Sequence, residues 1–99
     1  MIPNIHVIHF SVDSKLIDLV KDKSKKIYHF NDMITDVDVY LKLENTQDHI
    51  KDKVVEIKVQ IKGGEVFSKE TAKTFEDALS IAMDSTIVQL KKKKEILKG

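Results

Sequence analysis

The chain has 99 residues, 41% hydrophobic and 33% charged, with no cysteine and a net charge of +1; that is the size and balance of one soluble domain. Without cysteine, disulfides and thiolate chemistry are excluded, which suits a reducing cytoplasm. No apolar run approaches a membrane span, and Met1-Ile2-Pro3-Asn4 leads straight into a strand-like segment, so neither a signal peptide nor an anchor is expected.

Ile5 to Phe10 reads as a short strand, partly apolar on both faces. Ser11 or Asp13 can cap the helix that follows. Leu16, Val20 and Ile27 fall within about 40° of one another on a helical wheel, flanked by Ile17 and Leu19, which predicts a helix from Ser14 to Tyr28 ending near Asn31-Asp32. Ile34 to Leu43 alternates: Val37, Val39, Leu41 and Leu43 point one way, while Asp38, Tyr40, Lys42 and Glu44 point the other. This is the pattern of a half-buried strand in an antiparallel sheet. Asn45 to Lys53 is polar and predicts an exposed loop.

Val55, Ile57, Val59 and Ile61 alternate with Glu56, Lys58, Gln60 and Lys62 as a third strand. Gly63-Gly64 predicts a tight hairpin turn, with both glycines free to take positive φ. Glu65 to Ala72 returns as the fourth strand. Thr74 is placed to cap a second helix, with Asp77 at the capping-box position. Phe75, Ala78, Leu79, Ala82, Met83, Leu90 and Leu97 form its apolar face, so it runs to about Leu97. The order is β-α-β-β-β-α, without repeat or linker. It predicts an α+β fold: one domain over residues 1–99, a four-stranded sheet with two helices packed on one face, the other face wet.

The charge is unevenly placed. Residues 1–50 hold 6 lysines and 8 acids, a net of −2, whereas residues 51–99 hold 11 lysines and 8 acids, a net of +3. Most of that excess lies in the last nine residues, where Lys91-Lys92-Lys93-Lys94 and Lys98 face one acid, Glu95. Four consecutive helical residues spread over about 300° of the cylinder, so no orientation hides all four lysines against a core. Cations at a helix C-terminus do offset its dipole, by about 0.3–1 kcal/mol each, but one or two would suffice. The surplus points to a polyanion. Every basic residue is lysine, a point charge without arginine's fork, which favours diffuse phosphate contact over reading of base edges. The first helix carries a second basic stretch, Lys21, Lys23, Lys25 and Lys26, interrupted by Asp22. With both helices on one sheet face, the two stretches can line one surface.

Catalytic patterns are wanting. The serines stand in no Gly-x-Ser-x-Gly elbow, and the four histidines, His6, His9, His29 and His49, are scattered. His6 and His9, three apart on a strand, would face opposite ways and make a poor metal pair. Gly63-Gly64 lacks the Gly-Lys-Ser/Thr of a phosphate loop. No enzyme, cofactor, metal or small-molecule substrate is expected.

The ordered set Lys23-x-x-Lys26-Ile27, Ile34-Thr35-x-Val37-x-Val39, Gly63-Gly64-Glu65-x-Phe67, Asp84-x-x-x-x-Gln89-Leu90 and Lys92-x-Lys94-Glu95-x-Leu97-Lys98 covers essentially the whole chain. In this it closely resembles the ribosome hibernation-promoting factors, also called ribosome-associated translation inhibitors. The resemblance implies the β-α-β-β-β-α fold and binding to the small ribosomal subunit between head and body, where messenger RNA and transfer RNAs would lie. The implied outcome is silencing of idle ribosomes in stationary phase or under stress. By position it implies ribosomal RNA contacts from Lys23, Lys26, Lys92, Lys94 and Lys98, with Lys91 and Lys93 adding to the patch. The family commonly has arginine where Val88 stands, so that contact is absent or supplied by Lys92. Ending at Gly99, the chain resembles the short form, which lacks the C-terminal domain that dimerises ribosomes and in some bacteria works with a separate ribosome modulation factor. A stand-alone double-stranded RNA-binding module is the alternative. It has a similar order of elements but places lysines at the start of its second helix, where this chain reads Thr74-Phe75-Glu76-Asp77.

Overall fold

The computed structural model describes residues 2–30, 32–45 and 51–98, with the side chains of residues 45, 51, 97 and 98 outside that description. The elements run β1 (Asn4–Ile8), α1 (Ser14–Ser24), a 3₁₀ turn (Ile27–Phe30), β2 (Ile34–Asn45), β3 (Lys51–Ile61), β4 (Gly64–Ala72) and α2 (Phe75–Lys98). The four strands form one sheet in the order β1-β2-β3-β4. β1 pairs parallel to β2, and the two later pairings are antiparallel.

The period-2 pattern of β2 and β3 is realised in register, with Val37 opposite Val59, Val39 opposite Ile57 and Leu41 opposite Val55. All six are buried, and they share one core with Val20, Ile27, Ala78, Leu79, Ala82, Met83 and Leu90 from the helical side. Both helices therefore cover the same sheet face, as the sequence predicts. Connectivity then fixes their directions. Each follows a strand of the same sense and returns across the sheet, so α1 and α2 run parallel and their C-termini lie at one end of the molecule.

β1 ends at Ile8 rather than Phe10, because His9 takes φ 62°. Left-handed backbone costs a non-glycine residue about 1–2 kcal/mol. In return the chain turns Phe10 onto the core, where its ring stacks on Phe75 at 5.1 Å. Asp13, not Ser11, caps α1: its Oδ1 accepts from Lys15 N–H at 2.8 Å. α1 stops at Ser24, well before Tyr28. Ser24 is buried and its hydroxyl donates to Val20 O at 2.7 Å, and the bonds that follow are the tighter three-residue kind, Lys25 N–H to Asp22 O and Tyr28 N–H to Lys25 O. The branched and aromatic run Ile27-Tyr28-His29-Phe30 has little helical preference to resist this.

The expected loop at Asn45–Lys53 is shorter at both ends, since β2 includes Asn45 and β3 begins at Lys51; residues 46–50, with His49, lie outside the described residues. The β3–β4 turn is Lys62-Gly63, not Gly63-Gly64, because Gly64 already pairs with Ile61. Only Gly63 has positive φ, 83°, and a Cβ on either glycine would meet nothing within 4 Å. Gly63→Ala should therefore cost about 1 kcal/mol through φ alone, and Gly64→Ala less than about 0.5 kcal/mol. Urea midpoints of the two variants check this, and equal losses would refute the assignment.

Candidate nucleic-acid interface

α2 is capped by Thr74, whose Oγ1 accepts from Asp77 N–H at 3.1 Å. Its 24 residues span about 36 Å at 1.5 Å per residue. Apolar burial holds it from Ala78 to Leu90. Beyond Leu90, residues 91–96 are all exposed, so Lys91, Lys92, Lys93 and Lys94 form the basic end that the sequence predicts. Lys98 lies on the same helix, with its side chain outside the described residues, as is Leu97's.

Lys94 Nζ lies 5.8 Å from the centroid of the Phe30 ring, and Phe30, Lys91, Lys94 and Glu95 line one shallow depression. The 3₁₀ turn that ends the first helical segment thus meets the end of the second. At the opposite end, Asp13, Lys15, Leu16 and Leu19 of the α1 start line a hollow with Thr74, Phe75 and Glu76 of the α2 start. Lys23, half-buried, and Lys26, exposed, stand near the close of α1, at the same end of the molecule as the α2 lysines. Phe30 was not legible as part of this site, because the sequence reads it as the tail of a longer helix.

Ion pairing separates the two faces. On the sheet, Lys42 pairs with Glu56 at 2.6 Å, Lys58 with Glu65 at 3.6 Å, Lys69 with Glu44 at 3.3 Å and Lys73 with Asp52 at 3.2 Å. The Glu56 carboxylate holds the Lys42 pKa above its ordinary value, chiefly through their hydrogen bond. At the helical end Lys25 meets Asp22 at 3.4 Å. Lys21, Lys23, Lys26 and Lys91 to Lys94 have no carboxylate partner among the described residues. Lys62 also lacks one and stands at this end, its N–H tied to Met33 O at 3.0 Å.

The open sheet face is polar and acid-leaning. His6 stacks on Tyr40 at 4.5 Å, and its Nε2 lies 2.9 Å from Asp38 Oδ1. Asp36 accepts from the Asn4 amide at 2.9 Å. His9 is not on a strand at all, so the expected opposition of His6 and His9 within one strand does not arise. Among the described residues no group of three or more His, Asp or Glu is placed to hold a metal, and no helix is long and apolar enough to cross a membrane. Val54, in register with Lys42 and Thr71, is fully buried although its neighbours on that face are polar.

The family described as sigma-54 modulation protein / S30EA ribosomal protein matches residues 4–98. The chain belongs to that family. Its membership makes it a ribosome-associated protein, in a family of binding factors rather than enzymes. Among solved structures, a ribosomal subunit interface protein from Coxiella burnetii matches with a TM-score of 0.83 at 17% identity, over 96% of this chain and 99% of that one. The N-terminal domain of Protein Y from Thermus thermophilus matches with a TM-score of 0.70 at 20% identity, over 92% and 96%. At these identities the likeness is one of fold. No curated protein matches the chain significantly.

Proposed function

We propose that the chain binds the small ribosomal subunit in the channel between head and body, through its ribosomal RNA, and so inhibits translation by idle ribosomes under stress or in stationary phase. The footprint is Lys23 and Lys26 with Lys91, Lys92, Lys93, Lys94 and Lys98, and the setting is the cytoplasm. One observation carries this reading: among the described residues Lys23, Lys26 and Lys91 to Lys94 at the shared helix end have no carboxylate partner, with only Lys25 there meeting Asp22, whereas Lys42, Lys58, Lys69 and Lys73 on the sheet side are paired. Unpaired ammonium groups on two parallel helices form a positive surface without internal compensation, as a phosphate array requires. The acid-leaning sheet face turns away from RNA. The Coxiella relative, described as a ribosomal subunit interface protein, supports the same partner.

The test is sedimentation of the tagged chain with purified small subunits, alongside free duplex RNA. Co-sedimentation with subunits and weak duplex binding is the expected result. Equal affinity for both would favour a stand-alone duplex RNA binder and sink the channel. A salt titration adds detail. Each phosphate engaged contributes roughly 0.7–0.9 to the log–log slope, so about five lysines in contact should lower affinity by about two orders of magnitude between 50 and 200 mM salt. Lys23→Ala with Lys26→Ala should make that slope shallower; an unchanged slope would remove α1 from the footprint.

A further inference from the structure

The C-terminal half of α2 meets the edge strand β4 through polar groups, in an otherwise apolar interface. Ser68 on β4 and Thr86 on α2 are both buried. Thr86 Oγ1 lies 3.0 Å from Ser68 Oγ and 2.8 Å from Ala82 O. Ser85 Oγ stands 3.3 Å from the same Ser68 hydroxyl. The Gln89 amide completes the cluster, donating to Phe67 O at 2.9 Å and to Ser68 Oγ at 3.1 Å.

Apolar contacts alone tolerate small slips and rotations of a helix, because they are not directional. Directional hydrogen bonds do not, and at the buried Ser68–Thr86 pair a displaced partner would be left without a bond in a low-dielectric setting, while the Gln89 bonds beside it are only partly buried. Among the described residues Gln89 is the last of α2 bonded to the sheet, and Leu90 beside it is the last buried one. The exposed lysines begin at the next residue. The bond to Phe67 O also engages a backbone carbonyl of an edge strand, which otherwise invites pairing with another chain.

We infer that Gln89 is a positioning residue for the lysine segment: by locking α2 to β4 it fixes the direction in which Lys91 to Lys94 leave the domain. Its effect on ribosome binding rests on the function proposed above; its effect on the helix end does not. The experiment uses the full chain with Gln89→Met, which keeps length and removes both donors, and Ser68→Ala, which removes one of the amide's three acceptors, Phe67 O, Ser68 Oγ and Ser85 Oγ.

Amide exchange of the free protein should quicken about fivefold or more over residues 91–96 in Gln89→Met, and less in Ser68→Ala, with residues 78–86 little changed. Affinity for small subunits should fall three- to tenfold, roughly, with the salt slope shallower by about one phosphate contact. Loss of folded protein alone would lower the bound fraction and leave that slope unchanged. Unaltered exchange at 91–96 in both variants, or uniform quickening along the whole helix, would overturn the positioning role. If the wild type itself failed to bind subunits, the ribosomal reading would fall, and the exchange measurement would still decide this one.

Discussion

Replacing Lys92 and Lys94 together by glutamate should lower affinity for small ribosomal subunits about 100-fold or more at physiological salt. Each reversal removes an attraction to phosphate and installs a repulsion, and about 1.4 kcal/mol apiece already yields that factor. The fold should survive. Both residues are exposed on α2 beyond the buried Leu90, so the structural loss is confined to the dipole contribution and the Lys94–Phe30 contact, about 1–2 kcal/mol in all. Against a total of about 5–15 kcal/mol the domain remains folded. The control is Lys69→Ala on the sheet, which breaks the pair with Glu44 and should change affinity less than about twofold. Subunit binding at several salt concentrations, with circular dichroism on the same samples, measures both. Unchanged binding by the double reversal would demote the α2 lysines to a solvated helix end.

The sheet was legible in the sequence wherever one of its faces is buried. β2 and β3 alternate strictly, and a slip of one residue would expose Val37, Val39 and Leu41 together. The ends of β1 and α1 were not legible, because each depends on one tertiary event. His9 enters left-handed backbone so that Phe10 can reach Phe75, and Ser24 bonds back to Val20 where the chain must tighten to seat Ile27. Neither event has a periodic signature.

The candidate interface divides in the same way. Four consecutive lysines must show on a helix, so the α2 end was readable without coordinates. That the sheet lysines are paired was not readable, since Lys42 meets Glu56 across a diagonal of the β2–β3 register rather than its direct partner Val54. The same holds for Gln89: its partners lie on β4, and only the packing of α2 along that strand brings them within reach.

Leu41→Ala should be the most destabilising of the substitutions considered, by about 2–5 kcal/mol. Leu41 is fully buried in β2, between Val7 of β1 and Val55 of β3. Its side chain is enclosed by strands on either side and by the shared helical core. Hydrogen-bonded strands cannot close in on the space left behind, so both the transfer loss and the cavity cost apply. For a chain of this size each kcal/mol lowers the melting midpoint by about 4–8 °C, which predicts a fall of roughly 10–30 °C. Phe67→Ala is the contrasting case. It removes a larger side chain, but Phe67 is among the exposed large hydrophobics, so the loss should stay below about 1 kcal/mol. Thermal melts of the two variants beside the wild type make the comparison. A Leu41→Ala midpoint within about 3 °C of the wild type would mean that β2 is not the centre of the core. Residual binding gives a second check. The Leu41→Ala protein that stays folded should keep the wild-type salt slope, because Leu41 is a buried core residue of the platform, whereas Lys91 to Lys94 are exposed.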